Sequence, residues 1–237
     1  MIELKNITVR YGDKTVVNDV SAKAEPGQFI ALVGPNGSGK SSFLKAIAGL
    51  LPHGGTTSLP ANRKERAKHL AYLAQNSTAP TGRLVEDIIA LGRTPFVGPF
   101  AKLSEVDKRA IKAAASACDI EQFFGREFGT LSGGEQMRVH LSRALATQAP
   151  ILLADEPLAG LDPFYQISIL KILRETAANG TIVITALHDL KLAKRFADQI
   201  WVMHKGKFVA NEPSSSALTE AILKEVFRIT PDGNIAT

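Results

Sequence analysis

Gly34-Pro35-Asn36-Gly37-Ser38-Gly39-Lys40-Ser41 follows an apolar run, Phe29 to Val33, and leads into a segment with helical spacing, Phe43 to Leu51. Strand, glycine loop and helix start stand in the order that a phosphate-binding loop requires. Gly34, Gly37 and Gly39 let the backbone turn with positive φ and aim its N–H groups inward. There they converge with the N-terminus of the next helix on one anion. Lys40 adds a full positive charge for β- and γ-phosphates, and Ser41 places a hydroxyl where Mg²⁺ takes oxygen ligands. Pro35, Asn36, Ser38 and Ser42 belong to the same expected nucleotide-contact set. A glycine-rich turn that binds nothing is disfavoured, because the full GxxxxGK[ST] pattern and its strand–helix context both match.

The rest of the composition is ordinary. At 237 residues, 22% charged and 45% hydrophobic, the chain can bury a substantial core as one α/β domain, with or without a smaller insert. A formal charge of +5 is modest, and no Lys/Arg block is long enough to suggest a nucleic-acid arm. The single Cys118 cannot form an internal disulfide, which fits a reducing cytosol and a helix-face filler. Met1-Ile2-Glu3-Leu4-Lys5 carries charges where a signal peptide needs apolar residues, and no apolar run approaches the roughly 20 residues that span a bilayer. The expectation is a protein soluble by itself, with membrane association only through a partner.

Ahead of the loop, Ile2 to Arg10 and Val16 to Ala24 partly alternate around Tyr11-Gly12-Asp13-Lys14, which reads as an antiparallel hairpin. From that pattern alone Tyr11 is a packing residue. Behind the loop, His53 to Arg66 reads as loop or weak edge structure. His69 to Ala74 reads as a strand delivering Gln75 at its end, where α/β sheets meet their ligands, and Asn76 to Arg83 as a loop. Leu84 to Leu91 has helical spacing, and Ser104-Glu105-Val106-Asp107 is a capping-box pattern opening a helix to about Cys118. Ile120 to Phe128 adds another short helix. With no strand between Gln75 and Leu131, residues 79–147 are expected to form a helical subdomain inserted into a core made of 1–78 and 148–237.

Leu131-Ser132-Gly133-Gly134-Glu135-Gln136 precedes a helix from about Glu135 to Ala146, so a glycine pair again exposes amide donors at a positive dipole end. One chain has no obvious need for two such surfaces on one nucleotide. Ile151 to Ala154 is a continuous apolar run, as in a parallel strand covered on both faces, and ends in Asp155-Glu156. Adjacent carboxylates there are costly without a cation or proton to handle. Asp155 can reach a Mg²⁺ shell, and Glu156 can orient and deprotonate an attacking water. Asp162-Pro163 opens a helix that runs to Asn179, Thr181 to Thr185 is another buried strand, and His188 follows it on the side where Gln75 and Asp155 emerge. Gln199 to Met203 and Lys207 to Ala210 read as a closing hairpin, Leu218 to Phe227 as a terminal helix, and Thr230 to Thr237 as frayed. The fold class is α/β, a P-loop NTPase core with a mainly parallel sheet and an N-terminal antiparallel β-subdomain.

With the glycine loop, Gln75, Leu131 to Gln136, Asp155-Glu156, Asp162 and His188 in this order, the chain resembles the ATPase subunit of ABC transporters over residues 1–210. The resemblance implies ATP and Mg²⁺ as cofactors. It implies a homodimer in which the Ser132 to Glu135 surface of one subunit closes on ATP held by the other. It makes Tyr11 an adenine-stacking aromatic, reversing the packing reading, and Gln75 the sensor of γ-phosphate and Mg²⁺ that couples to membrane subunits. Glu156 matches the general base, Asp162 an acid crossing the dimer, and His188 the γ-phosphate switch. Ala90-Leu91-Gly92-Arg93-Thr94-Pro95 and the capped helix from Ser104 look most like importer ATPases for iron-siderophore, haem and cobalamin, with zinc and manganese importers related. Two permease subunits, indirectly a periplasmic or extracellular solute-binding protein, and a peripheral place on the cytoplasmic face of a bacterial inner membrane are implied. Non-transport relatives acting on nucleic acid carry long insertions or two fused cassettes, which this sequence lacks. Two departures stand out: Gly54 to Lys68 is shorter than the family's usual strand pair, which puts the peripheral β-layer in doubt, and Ala159-Gly160-Leu161-Asp162 replaces Ser-Ala-Leu-Asp.

Overall fold

The computed structural model describes residues 1–75, 82–98 and 101–230. Within them the chain builds two sheets. The smaller is antiparallel, in the order β2-β1-β4, from β1 (Ile2–Tyr11), β2 (Lys14–Ala24) and β4 (Gly54–Thr57). The larger has the order β5-β6-β7-β3-β8-β9, from β3 (Phe29–Val33), β5 (Leu70–Leu73), β6 (Ile151–Asp155), β7 (Ile182–Ala186), β8 (Gln199–His204) and β9 (Lys207–Pro213). All its pairings are parallel except the terminal β8–β9 hairpin.

Every residue of β3, β6 and β7 is buried, because helices and the smaller sheet cover both faces. The two-residue period of a strand then divides the core in two. Phe29, Ala31, Val33, Leu152, Ala154 and Val183 face the helices that precede and follow β6. Ile30, Leu32, Leu153, Ile184 and Trp201 face the other way, onto α1 (Lys40–Ile47) and the apolar side of the smaller sheet, Ile2, Leu4, Ile7 and Val9. Helix α1 is thus held between two sheets, with Phe43 edge-on to Trp201 and Phe208. The parallel register is level: Leu32 lies opposite Ala186, Asp155 opposite Ala186, and Leu73 opposite Ala154. The carboxyl ends of four strands therefore form one rim, from which Gly34, Gln75, Glu156 and His188 all emerge.

Several expectations need correction. The segment from His53 to Arg66 holds the weak edge strand expected there and, beyond it, a helix that was not expected. Gly54–Thr57 pairs with β1, so the peripheral β-layer is present as three strands, and α2 (Arg63–His69) follows it. The strand was hard to read because Gly54-Gly55 has low β-propensity. Gly55 sits at φ 82 where the register shifts, and a Cβ there would lie 2.3 Å from the Lys5 carbonyl. Helix α2 was hidden by its composition, Arg-Lys-Glu-Arg-Ala-Lys-His, which has one apolar residue and no amphipathic stripe. Its local signals were the Asn62 cap, accepting from the Lys64 and Glu65 amides, and the acid-first, base-last order of its turns.

Helix α7 (Leu190–Phe196), capped by Asp189, was also not expected. The expected helix over Ile120 to Phe128 is instead two single 3₁₀ turns, Glu121–Phe123 and Phe128–Thr130. The terminal helix is one short turn, α8 (Glu220–Ile222), continuing as a wider helical turn over Leu223–Phe227. Between β5 and β6 lie α3 (Val85–Ala90), α4 (Glu105–Ala117) and α5 (Gly133–Ala146), and α6 (Pro163–Ala178) follows β6. The loop expected over Asn76 to Arg83 lies largely outside the described residues, as does the tail expected to fray except Thr230. Among the described residues no helix is long and apolar enough to cross a membrane.

Candidate nucleotide site

Between β3 and α1 the glycine loop makes its turn by close approach. A Cβ on Gly34 would lie 2.1 Å from the Met203 carbonyl, and one on Gly39, at φ 110, would lie 2.6 Å from the Val16 carbonyl. Gly37, at φ 76, faces open space. The Ser38 amide is engaged within the loop, donating to the Pro35 carbonyl at 3.1 Å. Lys40, 4% exposed, folds back so that its Nζ donates to the carbonyls of Gly34 (2.8 Å) and Pro35 (3.3 Å). Burial lowers its pKa, and the charges of Glu156 and Asp155 act in the opposite direction. Its ammonium is thus stored against neutral acceptors beside an opening. Ser42 is half-buried in the first turn of α1.

Asp155 is 1% exposed at the end of β6, and both its oxygens are occupied by hydroxyls. Ser41 Oγ donates to Oδ1 at 2.9 Å, and Tyr72 Oη donates to Oδ2 at 3.0 Å. Sequence reasoning missed Tyr72, whose only signal was a polar group inside an apolar strand. Burial, followed by the adjacent carboxylate, raises the Tyr72 pKa, so its hydroxyl remains a donor. Glu156 comes next in the chain with φ 51, a left-handed conformation uncommon for a residue other than glycine. That turn swings its carboxylate off the strand and onto the rim. Gln75 Nε2 donates to Oε2 at 2.5 Å, and His188 Nε2 lies 2.7 Å from Oε1.

Asn36, Gly37, Ser38, Gly39, Lys40, Ser41, Gln75, Glu156 and His188 line one cavity of about 330 Å³. Ser38 Oγ is buried there without a hydrogen-bond partner. An unsatisfied hydroxyl, an inward lysine and the open approach at Gly37 suit an anionic oxygen group. Ser41 and Asp155 supply adjacent hard oxygens, the donor type that Mg²⁺ takes. Among the described residues no group of three or more His, Cys, Asp or Glu could hold a metal by itself, so a cation here would depend on other oxygens too.

The remaining expected residues lie elsewhere. Tyr11 stands at the β1–β2 turn, 51% exposed, and does not line the cavity. Ser132, Gly133, Gly134 and Glu135 form the N-terminus of α5, outside the cavity. Ser132 Oγ accepts from the Glu135 amide, while Glu135 Oε2 accepts from the Ser132 amide at 2.8 Å. The Ser132 amide first, and then the Ser132 hydroxyl, hold the Glu135 carboxyl below its ordinary pKa. The glycine pair is not uniformly open as the sequence suggested. Gly133 faces open space, but Gly134 is buried, and a Cβ there would lie 2.3 Å from the Tyr165 ring. Asp162 caps α6 by accepting from the Tyr165 amide at 3.1 Å, so the N-termini of α5 and α6 meet at one ring. Arg138 ties them further, donating to Ser168 Oγ at 2.7 Å.

Comparison with known proteins agrees with this geometry. The ABC transporter family model matches residues 17–159. A hemin import ATP-binding protein of Pseudomonas fluorescens is 38% identical, covering 96% of this chain and 92% of its own. An iron(3+)-hydroxamate import ATP-binding protein of Bacillus subtilis is 33% identical, covering 100% and 90%. The dimeric structure of a bacterial ABC transporter cassette superposes with a TM-score of 0.78 at 27% identity, covering 90% of this chain and 99% of that one. The chain belongs to the ABC transporter family, as one of its ATP-hydrolysing cassettes.

Proposed function

We propose that two copies of this chain, on the cytoplasmic face of a bacterial inner membrane, power import of a metal chelate through two membrane subunits fed by a solute-binding protein. The chelate class is haem, ferric siderophore or cobalamin. The observation that carries the dimer is the separation within one chain of two surfaces: the cavity with Lys40 and Glu156, and the Ser132 to Glu135 helix end outside it. Each is half of a site, and a second copy supplies the other half. The transport class rests on the relatives named for hemin and iron(3+)-hydroxamate import.

In this reading Lys40 leaves the Gly34 and Pro35 carbonyls for the β- and γ-phosphates of ATP, and the Ser38 hydroxyl and loop amides satisfy phosphate oxygens. Ser41, Asp155 and Gln75 are the residues that would hold Mg²⁺, whose chemistry is to neutralise charge between the phosphates. Glu156 accepts the proton of the attacking water at its carboxylate, held in place by Gln75 and His188. Tyr11 stacks on adenine, Asp162 reaches across the dimer, and residues 79–147 act as a helical unit against the sheet core.

Purified chain with its co-purifying membrane subunits in proteoliposomes is the test. ATP-dependent uptake of haem, a ferric hydroxamate or cobalamin is the expected result. Uptake of zinc or manganese alone, with none of these, overturns the chelate assignment, and absence of magnesium-dependent ATP hydrolysis overturns the whole reading.

A further inference from the structure

The phosphate loop does not hold its shape alone. On the side away from the cavity it rests on the β8–β9 turn. The Gly206 amide donates to the Ser38 carbonyl at 2.9 Å, and the Gly206 carbonyl accepts from the Asn18 amide of β2 at 2.8 Å. Gly206 therefore bridges the loop and the antiparallel sheet through its two backbone groups. A Cβ on Gly206 would lie 2.8 Å from the Val16 carbonyl, the same oxygen that abuts Gly39, and the Met203 carbonyl before the turn abuts Gly34. Three glycines from two distant segments thus close around two carbonyl oxygens.

The turn itself is made for this contact. His204 pairs with Lys207, leaving Lys205 and Gly206 as the two turn residues, at φ 46 and φ 79. Positive φ at both positions is the two-residue hairpin turn that matches strand twist, and Asn-Gly is its usual sequence. Lys205 is exposed while Gly206 is buried.

We propose that Gly206 is a positioning residue for nucleotide, its backbone fixing the phosphate loop against β2 and so setting the loop's distance from the hairpin that carries Tyr11. This rests on the nucleotide reading of the cavity. Gly206 touches no substrate and acts through Ser38. A brace of this kind shapes the empty site, so its loss weakens ATP capture more than the chemical step.

The test is steady-state ATP hydrolysis by Gly206→Ala, whose added Cβ meets both a positive φ and the Val16 carbonyl. The expected result is a KM for ATP raised about tenfold or more, with kcat at saturation within about threefold of wild type. Lys205→Gly, which keeps the turn, leaves KM within about twofold. A general loss of structure would lower kcat in step with the folded fraction, without that split. Should Gly206→Ala fail to fold, amide exchange in the wild-type chain serves instead: ATP with magnesium slows exchange at Gly206 and Asn18 together with the loop. A folded Gly206→Ala with unchanged KM, or exchange at those two amides indifferent to ATP, overturns the inference. A wild-type chain that neither binds nor hydrolyses ATP overturns the nucleotide reading instead.

Discussion

Replacing Glu156 by glutamine separates proton acceptance from architecture. The carboxylate receives Gln75 Nε2 on one oxygen and stands 2.7 Å from His188 Nε2 with the other. A glutamine amide has the same shape. Its oxygen keeps the Gln75 donor, and its NH₂ faces His188 Nε2, which accepts in the Nδ1–H tautomer of the neutral imidazole. Neither neighbour is left unsatisfied, so the fold, the left-handed turn at residue 156 and the phosphate loop are expected to survive. What disappears is the group we propose takes the proton. General-base loss is worth about 10²- to 10⁴-fold in kcat, or about 2.7–5.5 kcal/mol of barrier. The assay pairs steady-state phosphate release with equilibrium ATP binding in magnesium. Binding within about threefold of wild type and turnover reduced by at least about 10² is the expected pair of results. Turnover within about threefold of wild type refutes the base assignment. Parallel loss of binding would show instead that the carboxylate shapes the cavity.

Gly134→Ala places a Cβ within 2.3 Å of the Tyr165 ring, so it should cost about 1–3 kcal/mol by overpacking, read as a Tm lower by several degrees. The double variant with Tyr165→Ala removes the obstacle, and a Gly134→Ala cost that persists in that background refutes the steric account. The second prediction concerns the buried pair between Arg93 Nε and Asp107 Oδ1, 2.8 Å apart, which joins the end of α3 to α4. Arg93 also donates to the Ala146 and Thr147 carbonyls at the end of α5. The Ser104 hydroxyl first, and then Arg93, hold the Asp107 carboxyl at about 2, below its ordinary 3.8. A depressed carboxylate stabilises the fold fully above the unfolded value and loses that contribution as pH falls toward the folded one. The Tm gap between wild type and Asp107→Asn should therefore be largest well above pH 3.8, shrink as the pH falls through 3.8 and be mostly gone at about 2. A gap unchanged across that window would remove Asp107 ionisation from the stability of this junction.

Local pattern revealed the elements whose burial is uniform or whose caps are encoded in neighbouring residues. β3, the glycine loop and α1 were legible because five consecutive apolar residues precede a turn that only glycines make. Helix α4 was legible from Ser104 and Asp107, which form the capping box the sequence suggested. Local pattern failed where a residue's role is set by something distant. Tyr72 reads as one more strand aromatic, yet it completes the hydrogen bonding of a carboxylate 83 positions away. Gly134 reads as an open amide, and it is a seat for a ring from the next helix.

Apart from Tyr72, the residues of the candidate site were legible one by one in their own motifs, and only their pairing belongs to this second kind. Ser41 and Asp155 are 114 residues apart, and Gln75 and Glu156 are 81 apart. Neither pair lies on neighbouring strand positions by sequence; each is joined only because β5, β6, β7 and β3 end level with one another. A one-residue slip of β6 would turn Asp155 to the opposite face of the sheet and leave Ser41 and Tyr72 without their acceptor. Both faces of β6 are apolar, so what opposes that slip is the buried Asp155 carboxylate, which would lose both of its hydroxyl donors. The level parallel register therefore sets how far Asp155 and Glu156 stand from Ser41 and Gln75, a distance that no local pattern encodes.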